Sequence, residues 1–383
     1  MLLHLKEFLE IVNQPPPYDN DDDQNACEKL LLRIRSTTTA DDNTTRNEDN
    51  DNTINTISSD LMEELANVSY AYWQVNRYYS TRKEKQLPVG AQQNSALKEI
   101  RRQYIGEGRD ATSTLTAIQE AMDYRRTYHF NVFRACCGND KSDIQNEEEE
   151  ETNLAKKYRA FVLQDLTRQP MIVRGSDHQS RTIVYKSPRR AVPASTAASA
   201  ASSNSTKSNT HRLDDDEAFL RTQIYTAERA MATNEFNTKN EEERLTVVFN
   251  FHDYSRKNSP STSTVLLLLK VFQRCYPERL GVLMIMYPPW WMRALYTLVS
   301  PVLSAATTEN IVLLATGTAV TTAFDTIVRG GKNKGDDNNL RDDDDDPKNK
   351  KELIKMLVTG TIAEIDYNDY VQQPFYLPYK EIL

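Results

Sequence analysis

The chain has 383 residues, with 47 Lys and Arg against 55 Asp and Glu, a formal net charge of −8 and a hydrophobic fraction of 39%. This length suggests two domains, or one domain with long insertions. The hydrophobic fraction lies below the roughly 45–50% usual for globular proteins, so we expect part of the chain to stay unfolded. Net negative charge without a basic and aromatic module argues against nucleic-acid binding.

The four cysteines exclude a disulfide-built scaffold, and no C-x-x-C pair is present that would indicate structural zinc. Charged residues interrupt the apolar N-terminus, so it does not resemble a secretory signal. No uncharged stretch of about 20 apolar residues occurs that would predict a membrane span. We therefore expect a soluble, cytoplasmic protein with neither metal nor cofactor.

Composition divides the chain into folded and unfolded parts, because runs of like charge and Ser/Ala-rich tracts favour solvated segments. The predicted order is a mostly disordered segment (1–59), a helical lobe (60–137), an acidic linker (138–153), a main domain (154–328) with a disordered insertion (192–212), a disordered acidic insertion (329–350) and a C-terminal segment packing on the main domain (351–383).

In the lobe, apolar spacing predicts a helix over 111–128, which Asp110 can cap by accepting a backbone N–H. Residues 61–79 and 95–104 also have helical patterns. In the main domain, short apolar runs predict strands at 182–185, 245–251, 282–286 and 311–314, and helices lie between them around 220–231 and at 263–275 and 290–303. Strands that alternate with helices predict an α/β fold with a mostly parallel sheet.

An ordered set of motifs spans about 130 residues of this domain: TIVYKSPRR (182–190), YTAERA (225–230), LTVVFNFHDYS (245–255), YPERLG (276–281), MYPPWWMRAL (286–295), SPVL (300–303) and TTENIVLL (307–314). The set resembles the CRAL-TRIO family of lipid-binding and lipid-transfer proteins. Residues 108–131 are similar to the helical lobe that precedes this domain in the family. The resemblance implies a sheet floor covered by helices, one of which is a mobile gate.

The resemblance also implies a dry pocket for one lipid, since burying an acyl chain is worth about 0.8 kcal/mol per CH₂. It assigns the gate to residues 290–303, in which Pro301 weakens the helix. The predicted pocket residues are Tyr185, Val247, Phe249, Phe251, Met284, Trp291, Leu295, Leu298 and Val302. The same residue types would also suit an ordinary solid core.

Membrane contact is predicted at Trp290, because indole favours the bilayer interface, and at four cations that can attract anionic lipids. These cations are Lys186, Arg189, Arg190 and Arg293; a solvated basic face is the alternative reading. For a phosphatidylinositol headgroup, the resemblance implies Glu278, Thr307 and Asn310. Asn310 stands where the family has Lys, and Glu278 could instead pair with a neighbouring group.

Catalysis is not predicted, because no G-x-S-x-G, P-loop or H-E-x-x-H motif occurs and His252–Asp253 cannot form a dyad within one strand. We expect a non-enzymatic monomer that binds a single lipid or phospholipid in an enclosed pocket and exchanges it with membranes, with phosphatidylinositol as one candidate. The alternative is a non-transferring interaction or regulatory module on the same fold, whose pocket has filled.

Overall fold

The structure is a computed structural model of the 383-residue chain. It describes residues 4–39, 61–80, 87–136, 149–169, 171–187, 208–238, 243–252, 254, 260–290, 292, 310–315, 319–320, 322–323, 326 and 365–377. Within these ranges, no helix combines the length and the apolar character that crossing a bilayer requires.

The chain divides into two compact units. We call residues 1–128 with 270–278 the helical unit, and residues 129–269 with 279–383 the sheet unit. The helical unit contains α1 (Leu5–Asn13), α2 (Asp21–Thr39), α3 (Leu61–Ala66), α4 (Tyr70–Ser80), α5 (Ala91–Arg101), a π-helical turn (Arg102–Gly106) and α6 (Ala111–Thr127).

Helix α6 begins as the sequence predicts. The Asp110 carboxylate accepts hydrogen bonds from the backbone N–H groups of Thr112 (2.8 Å) and Ser113 (3.0 Å). The Ser113 hydroxyl donates a further hydrogen bond to this carboxylate. Together the hydrogen bonds lower the pKa of Asp110, the one from the Ser113 hydroxyl most of all, because they stabilise its ionised form. The predicted helices at 61–79 and 95–104 correspond to α3 with α4, and to α5 with the π-helical turn.

The prediction that residues 1–59 are mostly disordered is wrong for residues 5–39, which form α1 and α2. Polar residues dominate the composition of this segment, but most of its apolar side chains lie on one face of each helix and are buried. The side chains of Phe8, Ile11, Leu31 and Ile34 are at most 2% exposed. Cys27 is also buried, and burial raises the pKa of its thiol to about 11. The Cys27 thiol is therefore neutral at physiological pH.

The helices of the sheet unit are α7 (Phe130–Cys136), α8 (Glu149–Leu166), α9 (Ser208–Thr238), part of α10 (Thr262–Cys275) and α11 (Tyr367–Gln372). Its strands are β1 (Met171–Ser176), β2 (Thr182–Lys186), β3 (Leu245–Asn250), β4 (Leu280–Met286) and β5 (Ile311–Leu314). The last residues of α10, from residue 270 on, belong to the helical unit. The strands form one sheet in the order β1-β2-β3-β4-β5. Strands β2 to β5 are parallel, and β1 pairs antiparallel with β2.

The mostly parallel α/β sheet confirms the predicted fold class. Two predicted boundaries change, because α8 begins at Glu149 inside the predicted linker and α9 begins at Ser208 inside the predicted insertion. Strand β1 was not predicted. The predicted insertion 329–350 lies outside the described residues.

The C-terminal segment packs on α9 through a buried arginine. The Arg229 guanidinium donates hydrogen bonds to the Tyr225 hydroxyl (2.9 Å) and to the Tyr370 carbonyl (2.5 Å), and it lies 3.9 Å from the Tyr370 ring. Phe375 also contacts the Tyr225 ring edge-on. These contacts give residues 366–377 a defined position against α9 within the sheet unit.

Candidate functional site

Two rows of side chains cross one face of the sheet in register. Pairing aligns Val247 with Leu283 and Ile311, and one step along it aligns Phe249 with Ile285 and Leu313. Aligned residues on neighbouring strands point to the same face, and alternate residues on one strand do so as well. We call this set the apolar floor: Val247, Phe249, Leu283, Ile285, Ile311 and Leu313.

Helix α9 covers this face of the sheet at β1 to β3, where Val173, Val184, Leu245 and Ala230 form a buried cluster. Cover is less complete over the β3–β5 part of this face. Val184 on β2 is 6% exposed and Ile285 on β4 is 7% exposed, whereas Leu313 on β5 is 39% exposed. Val247, Phe249, Leu283 and Ile311 are half-buried, so all floor side chains except Ile285 are only partly covered.

The opposite face is closed. Val248, Asn250, Met284 and Met286 are at most 1% exposed. Tyr185 lies on this face as well, and its hydroxyl accepts a hydrogen bond of 3.0 Å from the Asn250 amide.

The predicted pocket residues therefore divide between the two faces. Val247 and Phe249 belong to the apolar floor, whereas Tyr185 and Met284 point to the closed face. The backbone of the sheet separates the two sets, so Tyr185 and Met284 do not line a pocket over the floor. The sequence could not distinguish them, because both faces of a buried parallel strand are apolar.

Aromatic residues continue from the floor beyond the carboxyl ends of β3 and β4. Phe251 follows β3, and its ring lies 6.3 Å from that of Phe249 and 5.3 Å from that of Tyr254. The His252 ring contacts Tyr287 edge-on at 5.5 Å. In open parallel sheets, this edge is the usual location of ligand sites.

The predicted gate lies almost wholly outside the described residues. Trp291, Leu295, Leu298 and Val302 are among the residues that the structure does not describe. Trp290, at the start of the predicted gate, is 85% exposed, whereas Met292 is buried at 8%. Contact of the exposed Trp290 indole with a membrane stays a prediction.

The prediction for Lys186 as a membrane-facing cation needs correction, because this side chain is only 7% exposed. Its ammonium donates a hydrogen bond of 2.7 Å to the Gln223 side-chain oxygen on α9. Alternation along β2 directs Lys186 toward α9, which the short motif TIVYKSPRR did not indicate. The other predicted cations, Arg189, Arg190 and Arg293, lie outside the described residues.

The predicted headgroup residues have different surroundings. Asn310 precedes β5, and its amide contacts the Leu280 carbonyl at 3.4 Å, while Thr307 lies outside the described residues. Glu278 belongs to the helical unit, where its carboxylate lies 3.9 Å from the Arg101 guanidinium. Its backbone has a positive φ of 56°, which is strained for a residue with a side chain.

A polar cavity of about 310 Å³ lies in the helical unit and was not predicted. Its lining residues are Arg109, Thr112, Ser113, Thr116, Ala117, Glu120 and Arg274. Burial lowers the pKa of the Arg109 guanidinium, and the neighbouring Arg274 acts in the same direction. Arg109 and Arg274 pair with Glu107 (3.6 Å) and Glu120 (2.7 Å), so this cavity does not offer the hydrocarbon surface that an acyl chain needs.

Comparison with known proteins assigns residues 166–325 to the CRAL/TRIO domain model. No curated protein sequence matches the chain. Among solved structures 31 chains match, one of them described as the crystal structure of Sfh5. That structure is 14% identical in sequence, the alignment covers 90% of this chain and 99% of Sfh5, and the TM-score is 0.45.

Proposed function

We propose that the protein encloses one hydrophobic lipid or phospholipid and exchanges it with membranes, because residues 166–325 match the model of the CRAL/TRIO domain, a lipid-binding domain. The apolar floor supports this proposal most directly. It is part of the matched region, and it offers partly covered aliphatic and aromatic side chains on three adjacent strands.

The floor suits a hydrocarbon chain for a simple energetic reason. Each CH₂ group that leaves water contributes about 0.8 kcal/mol, and the floor side chains gain by the same transfer. Leu313, which is 39% exposed, would be covered by a bound acyl chain. A ligand of this kind needs a cover on its other side, and residues 290–303 are the proposed gate.

Exchange with a bilayer requires that the gate open where its apolar surface meets lipid rather than water. The exposed Trp290 supports a membrane-facing position for the start of this segment. Phosphatidylinositol is one candidate ligand, with Thr307 and Asn310 near its headgroup. Asn310 carries no charge, so its hydrogen bond to a phosphate would be weaker than that of a lysine.

The floor can be tested with Leu313→Asp, since a residue 39% exposed tolerates a carboxylate in the folded chain. We expect wild-type protein to retain one lipid per chain on organic extraction and to transfer lipid between vesicles. Leu313→Asp should reduce the bound lipid at least about tenfold, because burying a carboxylate under hydrocarbon is strongly unfavourable. Mass spectrometry of the extract and a fluorescent-lipid transfer assay measure both quantities.

Val89→Asp is the matched control, because Val89 is a fully exposed apolar residue in the helical unit. It should bind and transfer lipid as the wild type does. If the wild-type extract contains no stoichiometric lipid and no transfer occurs, the carrier proposal fails and the interaction-module alternative gains support. Equal lipid content in Leu313→Asp and the wild type would place the ligand away from the floor.

A further inference from the structure

The polar cavity of the helical unit has a chemistry that the proposed lipid binding does not use. Its volume is about 310 Å³, and it is lined by residues of α6, by Arg109 and by Arg274 near the end of α10. All of its lining residues except Arg274 precede the matched region 166–325. The CRAL/TRIO match therefore does not account for a ligand in this cavity.

Two guanidinium groups line the cavity close to each other. Burial lowers the pKa of the Arg109 guanidinium, and the positive charge of Arg274 lowers it further. The effect of one cation on the other is a repulsion. An anion placed near both guanidiniums would replace this repulsion by attraction, because unlike charges attract strongly in partly buried surroundings.

Both arginines retain N–H groups for a ligand. Arg109 donates through Nη1 to the Gln103 backbone carbonyl (3.1 Å) and side-chain oxygen (2.7 Å), whereas its Nη2 lies 3.6 Å from the Glu107 carboxylate, beyond hydrogen-bond length. Arg274 contacts Glu120 through Nε at 2.7 Å, and its two terminal nitrogens form no hydrogen bond to any residue that the structure describes. A guanidinium presents such donors in a plane that matches two oxygens of a phosphate.

Helix α6 adds a row of hydroxyl groups. The Ser113 hydroxyl donates to the Asp110 carboxylate (2.6 Å), and the Thr116 hydroxyl donates to the Thr112 carbonyl (3.2 Å). Within the described part of the chain the Thr112 hydroxyl makes no hydrogen bond, so it can donate to a ligand oxygen. Each bonded hydroxyl still has lone pairs, which can accept from hydroxyl groups of a ligand.

This set of groups selects against other classes of ligand. A metal cation would be repelled by the two guanidiniums, and no cluster of three potential metal ligands occurs among the described residues. A hydrocarbon chain would leave the guanidinium N–H groups without acceptors. Ligand sites usually have volumes of about 300–1,000 Å³, so this cavity suits a small polar molecule.

We propose that the cavity binds a small soluble phosphate, as the free ion or as the ester of a small polyol, between Arg109 and Arg274. The phosphate oxygens accept the remaining guanidinium N–H groups and the Thr112 hydroxyl, and the hydroxyls of an ester meet Ser113 and Thr116. Because each arginine also has a carboxylate neighbour, binding depends on directed, charge-assisted hydrogen bonds more than on net charge.

The test is isothermal titration calorimetry of the full chain with inorganic phosphate and, separately, with glycerol 2-phosphate at constant ionic strength. We expect saturable binding at one site per chain, and no saturable binding of sodium chloride. Tighter binding of glycerol 2-phosphate would identify an ester as the ligand. Equal or tighter binding of inorganic phosphate would identify the free ion.

Arg274→Gln should weaken phosphate binding at least about tenfold, because it removes a charged donor. The Arg274 side chain is 38% exposed, so the substitution is compatible with folding. Arg126→Gln is the matched control, since Arg126 also belongs to α6 and pairs with a carboxylate (Glu64, 2.7 Å) but does not line the cavity. It should bind phosphate as the wild type does.

Two further variants distinguish binding from a structural role. Thr112→Val removes an exposed hydroxyl at nearly constant volume and should also weaken binding. Glu120→Gln should strengthen binding, because it removes a negative charge that competes for Arg274. Thermal unfolding of each variant verifies its fold, and if Arg274→Gln folds poorly, the other two variants decide the question.

Three results would overturn the inference. The first is wild-type protein that shows no saturable binding of either phosphate compound. The second is binding by Arg274→Gln and Thr112→Val that equals that of Arg126→Gln. The third is weaker binding by Glu120→Gln, which would make the carboxylate part of the site. The titration does not depend on bound lipid, so failure of the carrier proposal would leave its result interpretable.

Discussion

Gly106 and Glu278 occupy neighbouring space in the helical unit. A Cβ atom on Gly106 would lie 1.8 Å from Cδ of Glu278, so no side chain fits at residue 106 unless Glu278 moves. Glu278 itself has a positive φ of 56°. The glutamate of the YPER motif is thus held in a strained conformation against the π-helical turn.

The substitution Gly106→Ala should destabilise the protein by about 1–3 kcal/mol, because the added methyl collides with the Glu278 side chain. The loss of stability that Gly106→Ala causes should be smaller in a Glu278→Ala background, where the glutamate side chain is shortened to a methyl group. Urea unfolding of the two single variants and the double variant measures the coupling.

Glu107→Ala is the matched background, because Glu107 is a nearby carboxylate that pairs with Arg109 instead. Gly106→Ala should cost as much in that background as in the wild type. Equal costs of Gly106→Ala in the Glu278→Ala and Glu107→Ala backgrounds would show that steric contact with Glu278 is not the cause.

At the scale of elements, β1 is an edge strand with one backbone hydrogen bond to a side chain of α11. The Val173 backbone N–H donates a hydrogen bond of 3.0 Å to the Tyr370 hydroxyl, and Tyr370 is fully buried. Edge strands normally leave such groups free to pair with other chains. Helix α11 therefore satisfies one backbone donor of this edge with a side chain from the far end of the sequence.

Tyr370→Phe should cost about 1–3 kcal/mol, because it leaves the buried Val173 N–H without this acceptor. The measurements are the free energy of unfolding and the hydrogen-exchange rate of the Val173 amide, which should rise. Tyr287→Phe is the control, since the ring contact of Tyr287 with His252 does not need a hydroxyl. If Tyr370→Phe lowers the free energy of unfolding no more than Tyr287→Phe does, the hydrogen bond from the Val173 N–H does not contribute to stability.

The sequence predicts strands β2 to β5 well, but it misses β1 and α2. Strand β5 matches the predicted range 311–314, because a short β-branched run with turn residues around it is distinctive. Strand β1 was missed because MIVRGS is half polar and its partner in the sheet is set by tertiary pairing. Helix α2 was missed because its first turn is a run of aspartates, which resembles a solvated segment although acids favour a helix start.

For the candidate site, the sequence identifies Val247 and Phe249 but cannot assign faces. Tyr185 and Lys186 are adjacent, so they must point to opposite sides, yet nothing in TIVYKSPRR indicates which side meets α9. Register with β3 and packing of α9 decide this, and both involve residues distant in sequence. The buried lysine was therefore predicted as a surface cation.

At the scale of the whole molecule, the helical unit is built from two separate parts of the sequence. Residues 270–278 complete it, although about 140 residues of the chain separate them from residue 128. The Gln103 amide donates to the Arg274 carbonyl at 2.8 Å, and the Arg274 side chain pairs with Glu120 at 2.7 Å. The predicted lobe, 60–137, lacks both this piece and the helices α1 and α2.

A fragment of residues 1–128 should therefore lack cooperative folding. Gln103 is fully buried in the complete chain, and loss of Arg274 removes one of its hydrogen-bond partners. The fragment also loses the buried Cys275, whose thiol lies 3.6 Å from the Ala121 carbonyl. We expect substantial helix by far-UV circular dichroism but a broad thermal transition. The same fragment carrying residues 270–278 on a glycine–serine linker should recover a sharper transition. Equally sharp unfolding of both fragments would show that residues 1–128 fold without the returning segment.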